Sequence, residues 1–352
     1  MVWATKSWLT ARLAMAFLAV ASLALTGCAA SAEEPFVAPI PAAPTVTVSP
    51  PVNEGFVAFL AAVRGEALEK GIRPETLDSA LADVQHIDRV IELDRKQPEF
   101  TLSFDEYLGR IVSPSRVAEG RRKLAENRAL LTAIEKRYGV QPRFVVALWG
   151  IETGFGKNTG GMSVVSSLAT LAYDGRRSKY FRTELMNALT ILDQGHITPA
   201  AMIGSWAGAM GQCQFMPSTF LKFAVDWDGD GKRNIWTNRG DALASAANYL
   251  SSEGWADNQT WGRAVKLPKG FDAKLIGVDT RKTMHAWGKL GVRSADGKPL
   301  PSRDIQASVV LAEAGTGPAF LVYDNFRTIM KWNRSTFFAL AVGHLADRIG
   351  GK

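Results

Sequence analysis

The sequence predicts a mainly helical α+β body with a small β portion, and three observations predict it. Apolar residues recur at helical spacing through most of residues 53 to 260 and again near the C-terminus. Short β-type runs broken by Gly, Pro and Asp are confined to residues 263 to 310. No alternating strand–helix rhythm and no internal repeat appears, which argues against a parallel α/β fold. The 352 residues are 47% hydrophobic and 21% charged, the balance of a folded chain with enough apolar mass, including 10 Trp and 17 Phe, for a large core.

Residues 1–27 stand apart from that body. Lys6 and Arg12 precede an apolar run from Leu13 to Leu25 that ends in small residues, the pattern of an export signal and short for a membrane span. Leu25-Thr26-Gly27-Cys28 resembles the lipobox of bacterial lipoproteins, which implies that Cys28 becomes an acylated N-terminus. Ala29 in place of an aspartate after it resembles outer-membrane sorting. Residues 28–52 carry Pro35, Pro39, Pro41, Pro44, Pro50 and Pro51, which deny the segment a helix and make it an extended tether. The one other cysteine is Cys213, so with Cys28 acylated no intramolecular disulfide forms. Loss of Lys6 and Arg12 takes the formal charge from +7 to +5, a surplus suited to anionic wall polymer or lipid head groups. No basic stripe interleaved with aromatics is present, so no nucleic acid is expected as partner.

The folded body is expected from 53 to 350. Phe56, Phe59, Leu60 and Val63 form one helical face and Leu77, Leu81 and Val84 the next, separated by Gly71 and Pro74. Val117, Leu124, Leu131, Ile134 and Tyr138 predict one long helix from Ser115 to Tyr138, stopped by Gly139. Pro142 opens another, apolar nearly all round from Phe144 to Trp149 and therefore buried. Further helices are predicted over 180–193, 217–225, 241–253 and 335–349.

The stretch Gly150-Ile151-Glu152-Thr153-Gly154-Phe155-Gly156 places a single carboxylate between the buried helix and a glycine-rich turn. There the negative end of the helix dipole and apolar neighbours both favour the protonated form, which suits a general acid. On spacing alone Glu152 is equally a surface residue of the last turn or a buried acid paired with an arginine.

With its flanking residues this stretch resembles the catalytic motif of lytic transglycosylases, more specifically the membrane-bound lytic murein transglycosylase B family. Gly204-Ser205-Trp206-Ala207-Gly208-Ala209-Met210-Gly211-Gln212-Cys213-Gln214-Phe215-Met216-Pro217-Ser218 extends the resemblance, departing at Cys213. Its small residues permit close approach to a ligand, and Ser205, Gln212 and Gln214 are able to bond acetamido and hydroxyl groups. Glycines for tight packing and Met210 as core filler are the plainer reading. Tyr249 and Asn333 match family residues, while Trp332 stands where the family has tyrosine, keeping an aromatic platform without a hydroxyl.

The resemblance covers about residues 55 to 348 and implies a lysozyme-like core near 140–260. It implies cleavage of peptidoglycan between N-acetylmuramic acid and N-acetylglucosamine, with 1,6-anhydro ends and Glu152 as sole acid/base. Ser205, Met210, Gln212, Gln214, Tyr249, Trp332 and Asn333 are the implied substrate-binding residues. A hydrolase using Asp174 or Asp226 to activate water, and a wall-binding lipoprotein without catalysis, are the alternatives.

Asp226-Trp227-Asp228-Gly229-Asp230-Gly231-Lys232 looks like the start of an EF-hand loop, with Lys232 at its backbone-carbonyl position. Thr237 occupies the twelfth position, where a glutamate belongs, and Asp241 is placed to close a longer loop as in the resembled family. A structural Ca2+ is the metal suggested, an acidic turn held by hydrogen bonds is the alternative, and catalysis needs no cofactor. His86, His196, His285 and His344 lack ligand-like spacing. Implied partners are glycan strands, the membrane through Cys28, and proteins of wall synthesis or division; the implied place is the periplasmic face of the outer membrane.

Overall fold

The computed structural model describes residues 53–96, 102–313 and 315–351. The expected signal peptide, Cys28 and the tether lie outside the described residues. The first two helices fall where the apolar spacing puts them: α1 (Glu54–Glu69), capped by the Asn53 side chain accepting from Phe56 N, and α2 (Pro74–Leu81), with proline in its first turn. Two short polar helices follow that the spacing does not announce, α3 (Asp88–Arg95) and α4 (Phe104–Ile111). A reciprocal Ser103–Glu106 capping box starts α4.

The long helix expected from 115 to 138 is two helices, α5 (Pro114–Glu126) and α6 (Arg128–Tyr138). Asn127 breaks it, with φ −107° and ψ 18° and its side-chain amide donating back to the Lys123 carbonyl. That side-chain bond competes with helix continuation, and an apolar heptad that steps across the break cannot register it. Gly139 ends α6 in the left-handed conformation. α7 (Pro142–Thr153) is the buried helix, every residue from Phe144 to Ile151 being buried, and it packs against α14 (Thr336–Ile349), α5, α6 and α11 (Arg239–Ser252).

Around this centre lie α8 (Val164–Asp174), α9 (Ser178–Asp193) and α10 (Pro217–Phe223). A two-residue ladder joins β1 (Met162–Ser163) to β2 (Ile203–Gly204). The β portion is an antiparallel sheet ordered β4-β6-β7-β3-β5, with β3 at Gly262–Lys266, β4 at Lys282–Thr283, β5 at Arg293–Ser294, β6 at Gln306–Glu313 and β7 at Thr316–Val322. It runs twelve residues beyond the expected limit because the β6–β7 hairpin continues to Val322. With α12 (Met284–Lys289) the sheet encloses its own small core of Val265, Met284, Trp287, Val309 and Leu321. α13 (Asp324–Trp332) then leads from the sheet back to the helical core. No helix among the described residues is long and apolar enough to cross a membrane.

Candidate active site

The end of α7 is built to hold one carboxylate still. Gly154, Phe155 and Gly156 take φ values of 58°, 65° and 83°, turning the chain sharply while the amides of Gly154 and Phe155 bond the Gly150 and Trp149 carbonyls. The Phe155 ring folds back over Gly150, where a β-carbon would lie 2.7 Å from two ring atoms, and meets Trp149 edge-on. Thr153 Oγ1 accepts from Gly156 N and donates to the Gln212 carbonyl, both at 3.0 Å, tying this turn to the 211–215 turn.

Glu152, half-buried, projects from the last helical turn into a cleft. Its Oε1 accepts a hydrogen bond from Trp332 Nε1 at 2.7 Å. Trp332 closes α13 and is 2% exposed, with Tyr249 and Phe215 against it at ring-centroid distances of 4.8 and 5.3 Å. Tyr107 and Cys213 lie within electrostatic reach of the carboxylate. Burial, and secondarily the Glu152 charge, pushes the ionisation of both far upward, so they stay neutral.

Two hollows adjoin the Glu152–Trp332 pair, a narrow part of the cleft lined by Glu152 and a wide part lined by Trp332. The narrower part, about 380 Å3, is lined by Glu152, Lys157, Asn158, Ser205, Trp206 and Gln214. The wider, about 1180 Å3, is lined by Tyr249, Trp332 and Asn333 together with Arg176, Lys179, Lys222, Lys331 and Arg334. Glu152 is the sole acid lining the narrow part among the described residues. In the wide part Glu184 accepts from Ser218 N and Oγ at 2.8 and 2.6 Å, and Glu253 sits between Lys222 and Lys331 at 3.1 and 3.3 Å. Asp174 is paired with Arg95 at 2.6 Å and Asp226 lies in the acidic loop; neither lines the cleft.

Five of the seven expected substrate-binding residues line this cleft, Ser205 and Gln214 on one side and Tyr249, Trp332 and Asn333 on the other. Gln212 and Met210 do not. Gln212 accepts from Trp149 Nε1 and donates to the Trp236 carbonyl, so its amide is committed inside the protein. Met210 is fully buried and bridges Phe215 through its backbone, which is the core-filler role. The glycines likewise serve chain-to-chain approach, since a β-carbon on Gly204 would lie 2.3 Å from the Ala209 carbonyl oxygen. Sequence reasoning missed Lys157, Asn158 and Trp206, and the cations at 176, 179, 222, 331 and 334. A pair of basic runs, Arg176-Arg177-Ser178-Lys179 and Lys331 to Arg334, signals four of these cations, Trp206 lies in the quoted glycine-rich run, and Lys157, Asn158 and Lys222 carry no signal.

Away from the cleft, carboxylate oxygens of Asp226, Asp228 and Asp230 come within 4.8 Å of one another. Such a hard-oxygen set fits Ca2+. The Lys232 N–H donates to Asp230. Asp241 stands outside the trio: it is fully buried, and its two oxygens accept from Trp227 N and Asn234 N at 2.9 and 2.6 Å, closing the loop from behind.

A family model described as the transglycosylase SLT domain matches residues 55–347. The chain is 30% identical over 295 residues to membrane-bound lytic murein transglycosylase B of Escherichia coli K12, covering 79% of each protein. The chain belongs to this lytic transglycosylase family. As a lytic transglycosylase it also resembles SltB3 of Pseudomonas aeruginosa, solved with NAG-anhNAM-pentapeptide: 48% identity, TM-score 0.82, 84% of this chain and 80% of that one. Slt35 of Escherichia coli in complex with calcium superimposes at 29% identity and TM-score 0.68, over 85% of this chain and 93% of that one. The lytic transglycosylase fold here is the mainly helical, lysozyme-like α+β body that the sequence predicts.

Proposed function

We propose that this lytic transglycosylase cleaves the MurNAc-β-1,4-GlcNAc bond of peptidoglycan with Glu152 as its single acid/base. Glu152 protonates the bridging oxygen as the muramic C1–O bond breaks. As carboxylate it then takes the proton of the C6 hydroxyl, whose oxygen closes on C1 to leave a 1,6-anhydro end. The substrate acetamido group steadies the positive charge at C1 between the two steps. One observation carries the reading: Glu152 is the sole acid on its side of the cleft among the described residues, held at 2.7 Å by a donor that cannot itself move a proton onward. A hydrolase of the usual kind needs a second carboxylate across the scissile bond. Asp174 and Asp226 are engaged elsewhere.

Ser205 and Gln214 are the sugar-binding residues of the narrow side, and Tyr249 and Asn333 those of the wide side. The cations of the wide side, of which Lys179 and Arg334 have no acidic partner among the described residues, suit the carboxylates of a stem peptide. SltB3, whose complex contains a pentapeptide, supports that assignment. A Ca2+ ion would be held by Asp226, Asp228, Asp230 and the Lys232 carbonyl, serving to stiffen the loop. Calcium should then raise the melting temperature of the protein but not of an Asp228→Ala variant. Cys28 anchors the enzyme by lipid at the periplasmic face of the outer membrane, a reading metabolic labelling with a palmitate analogue tests.

Mass spectrometry of muropeptides released from purified peptidoglycan tests the chemistry. Anhydro-muramic ends that vanish with Glu152→Gln are expected; reducing ends would sink the single-acid mechanism.

A further inference from the structure

We infer that the Trp332 indole N–H is a positioning group that decides which oxygen of Glu152 carries the catalytic proton, an inference that rests on Glu152 being the acid/base. An indole N–H donates and never accepts. The bond from Nε1 to Oε1 at 2.7 Å therefore uses a lone pair on Oε1, and because a carbonyl oxygen accepts far better than a carboxylic hydroxyl oxygen, the acid form is favoured with its proton on Oε2. When Oε2 gives that proton to the bridging oxygen, the same bond stabilises the carboxylate formed. Oε2, with its lone pair restored, then receives the proton from the C6 hydroxyl. One fixed donor thus keeps a single oxygen in use through both steps, with no exchange between the two oxygens.

The indole is also held in place. It is 2% exposed, Tyr249 meets it edge-on at an interplanar angle of 69°, and Phe215 lies against it at 54°. Asn333, the next residue, accepts from Ser335 N at 3.1 Å and fixes the chain where α13 ends. An indole so enclosed presents little of its face to a sugar, which sets this role apart from that of a stacking platform.

On the wide side that Trp332 lines stand Lys222, Arg327, Lys331, Arg334 and Glu253, the last paired with Lys222 and Lys331. Tyr107 approaches from α4 and Cys213 from the 211–215 turn, both kept neutral by burial. Tyr249 packs on the indole from α11. Lys157, on the turn after α7, is the sole cation lining the narrow side among the described residues and pairs with Glu119 at 3.4 Å.

The test is the pH dependence of kcat and KM, on peptidoglycan strands of defined length, for the native enzyme, Trp332→Phe and Trp332→Tyr. Loss of the donor should lower kcat roughly 10- to 100-fold, the range for a hydrogen bond to a charged group, with KM within about twofold. The alkaline limb of kcat should move up by about one pH unit, because a carboxylate without its donor is the stronger base. A phenol hydroxyl restores a donor, so Trp332→Tyr should recover most of kcat. A rise in KM with kcat and the alkaline limb unmoved would overturn the inference in favour of a sugar platform. So would Trp332→Tyr as slow as Trp332→Phe when both melt like the native protein. Should Trp332→Phe fail to fold, the 15N-indole resonance of Trp332 in the native chain decides. It should lie downfield, move as Glu152 titrates and return upfield in Glu152→Gln; a resonance indifferent to both refutes the bond. Full activity in Glu152→Gln would instead remove the acid/base reading itself, whatever the indole does.

Discussion

Replacing Asp94 by alanine should cost this enzyme far more stability than its place on a short surface helix suggests. Asp94 is 3% exposed, takes Arg176 Nε at 2.6 Å and also pairs with Arg177, while its backbone carbonyl accepts from Arg176 at 3.1 Å. Removing one partner of a buried ion pair costs about 3–5 kcal/mol, because the remaining charge is left desolvated. The two arginines do not share that cost equally. The Arg176 side chain is 45% exposed and can return to water, but that of Arg177 is 12% exposed, and its Nε already lacks a partner among the described residues. Discounting the Arg176 part leaves about 3 kcal/mol, carried mainly by Arg177. Urea unfolding should therefore show Asp94→Ala less stable by about 3 kcal/mol and Arg176→Ala by less than about 1 kcal/mol. Because Arg176 and Arg177 line the wide side of the cleft, KM should also rise in Asp94→Ala. Equal losses in the two variants, or a loss below about 1 kcal/mol in Asp94→Ala, would refute the burial argument.

Gly150→Ala should gain about 1 kcal/mol of helix propensity but lose about 1–3 kcal/mol to the clash with Phe155, for a net loss near 1 kcal/mol. It should also lower kcat, since Phe155 props the turn after Glu152; a more stable, fully active variant, judged by denaturant midpoint and turnover, would rule this out. His344 is enclosed by Phe104, Trp261 and Phe320, and burial holds its ionisation below the usual value. The unfolded chain therefore takes a proton that the folded one refuses, so stability should fall as pH drops through about 6.5 and below. His344→Phe should flatten the melting temperature between pH 7 and 5, leaving the part owed to His196, which burial and Arg233 lower in the same direction. An unchanged slope would show that His344 does not supply it.

Much of the fold was legible from burial, though not α8, whose residues Val164 to Ala172 are buried all round and carry no stripe. The buried α7, the paired α1 and α2, and the C-terminal α14 lie where their apolar spacing places them. α3, α4 and α13 escaped because eight or nine residues give a period too few turns to declare itself, and α3 is held by its Asp94 pairs as well as by Val90, Ile91 and Leu93 against the core. The break at Asn127 escaped because Leu124 and Leu131 keep their heptad across it. At the site, motif resemblance named Glu152, Ser205, Gln214, Tyr249, Trp332 and Asn333, which line the cleft, and Gln212, whose amide instead bonds Trp149 and Trp236. A polar side chain in a glycine-rich run looks alike whether it faces a ligand or an indole, and only the packing of α7 on that run separates the two.

Backbone strain marks the same place from another direction. Among the described residues, the two non-glycine side chains in the left-handed region are Phe155 and Gln214, at φ 65° and 51°. One follows Glu152 by three residues and the other lines the narrow part of the cleft with it. Each such residue costs on the order of 1–3 kcal/mol and persists only where neighbours over-determine it. Here Gly150 makes room for the Phe155 ring, Thr153 bonds across to the Gln212 carbonyl, and Gln214 Nε2 is held by the Thr159 and Gly211 carbonyls at 3.1 and 3.0 Å. These bonds lock the two strained turns to each other, so neither can relax without moving the other. With Trp332 fixing the carboxylate from a third direction, Glu152 is held in one position, as the two opposite proton transfers proposed for it would require. An enzyme that uses one carboxylate for both jobs needs that immobility more than one that divides them between two.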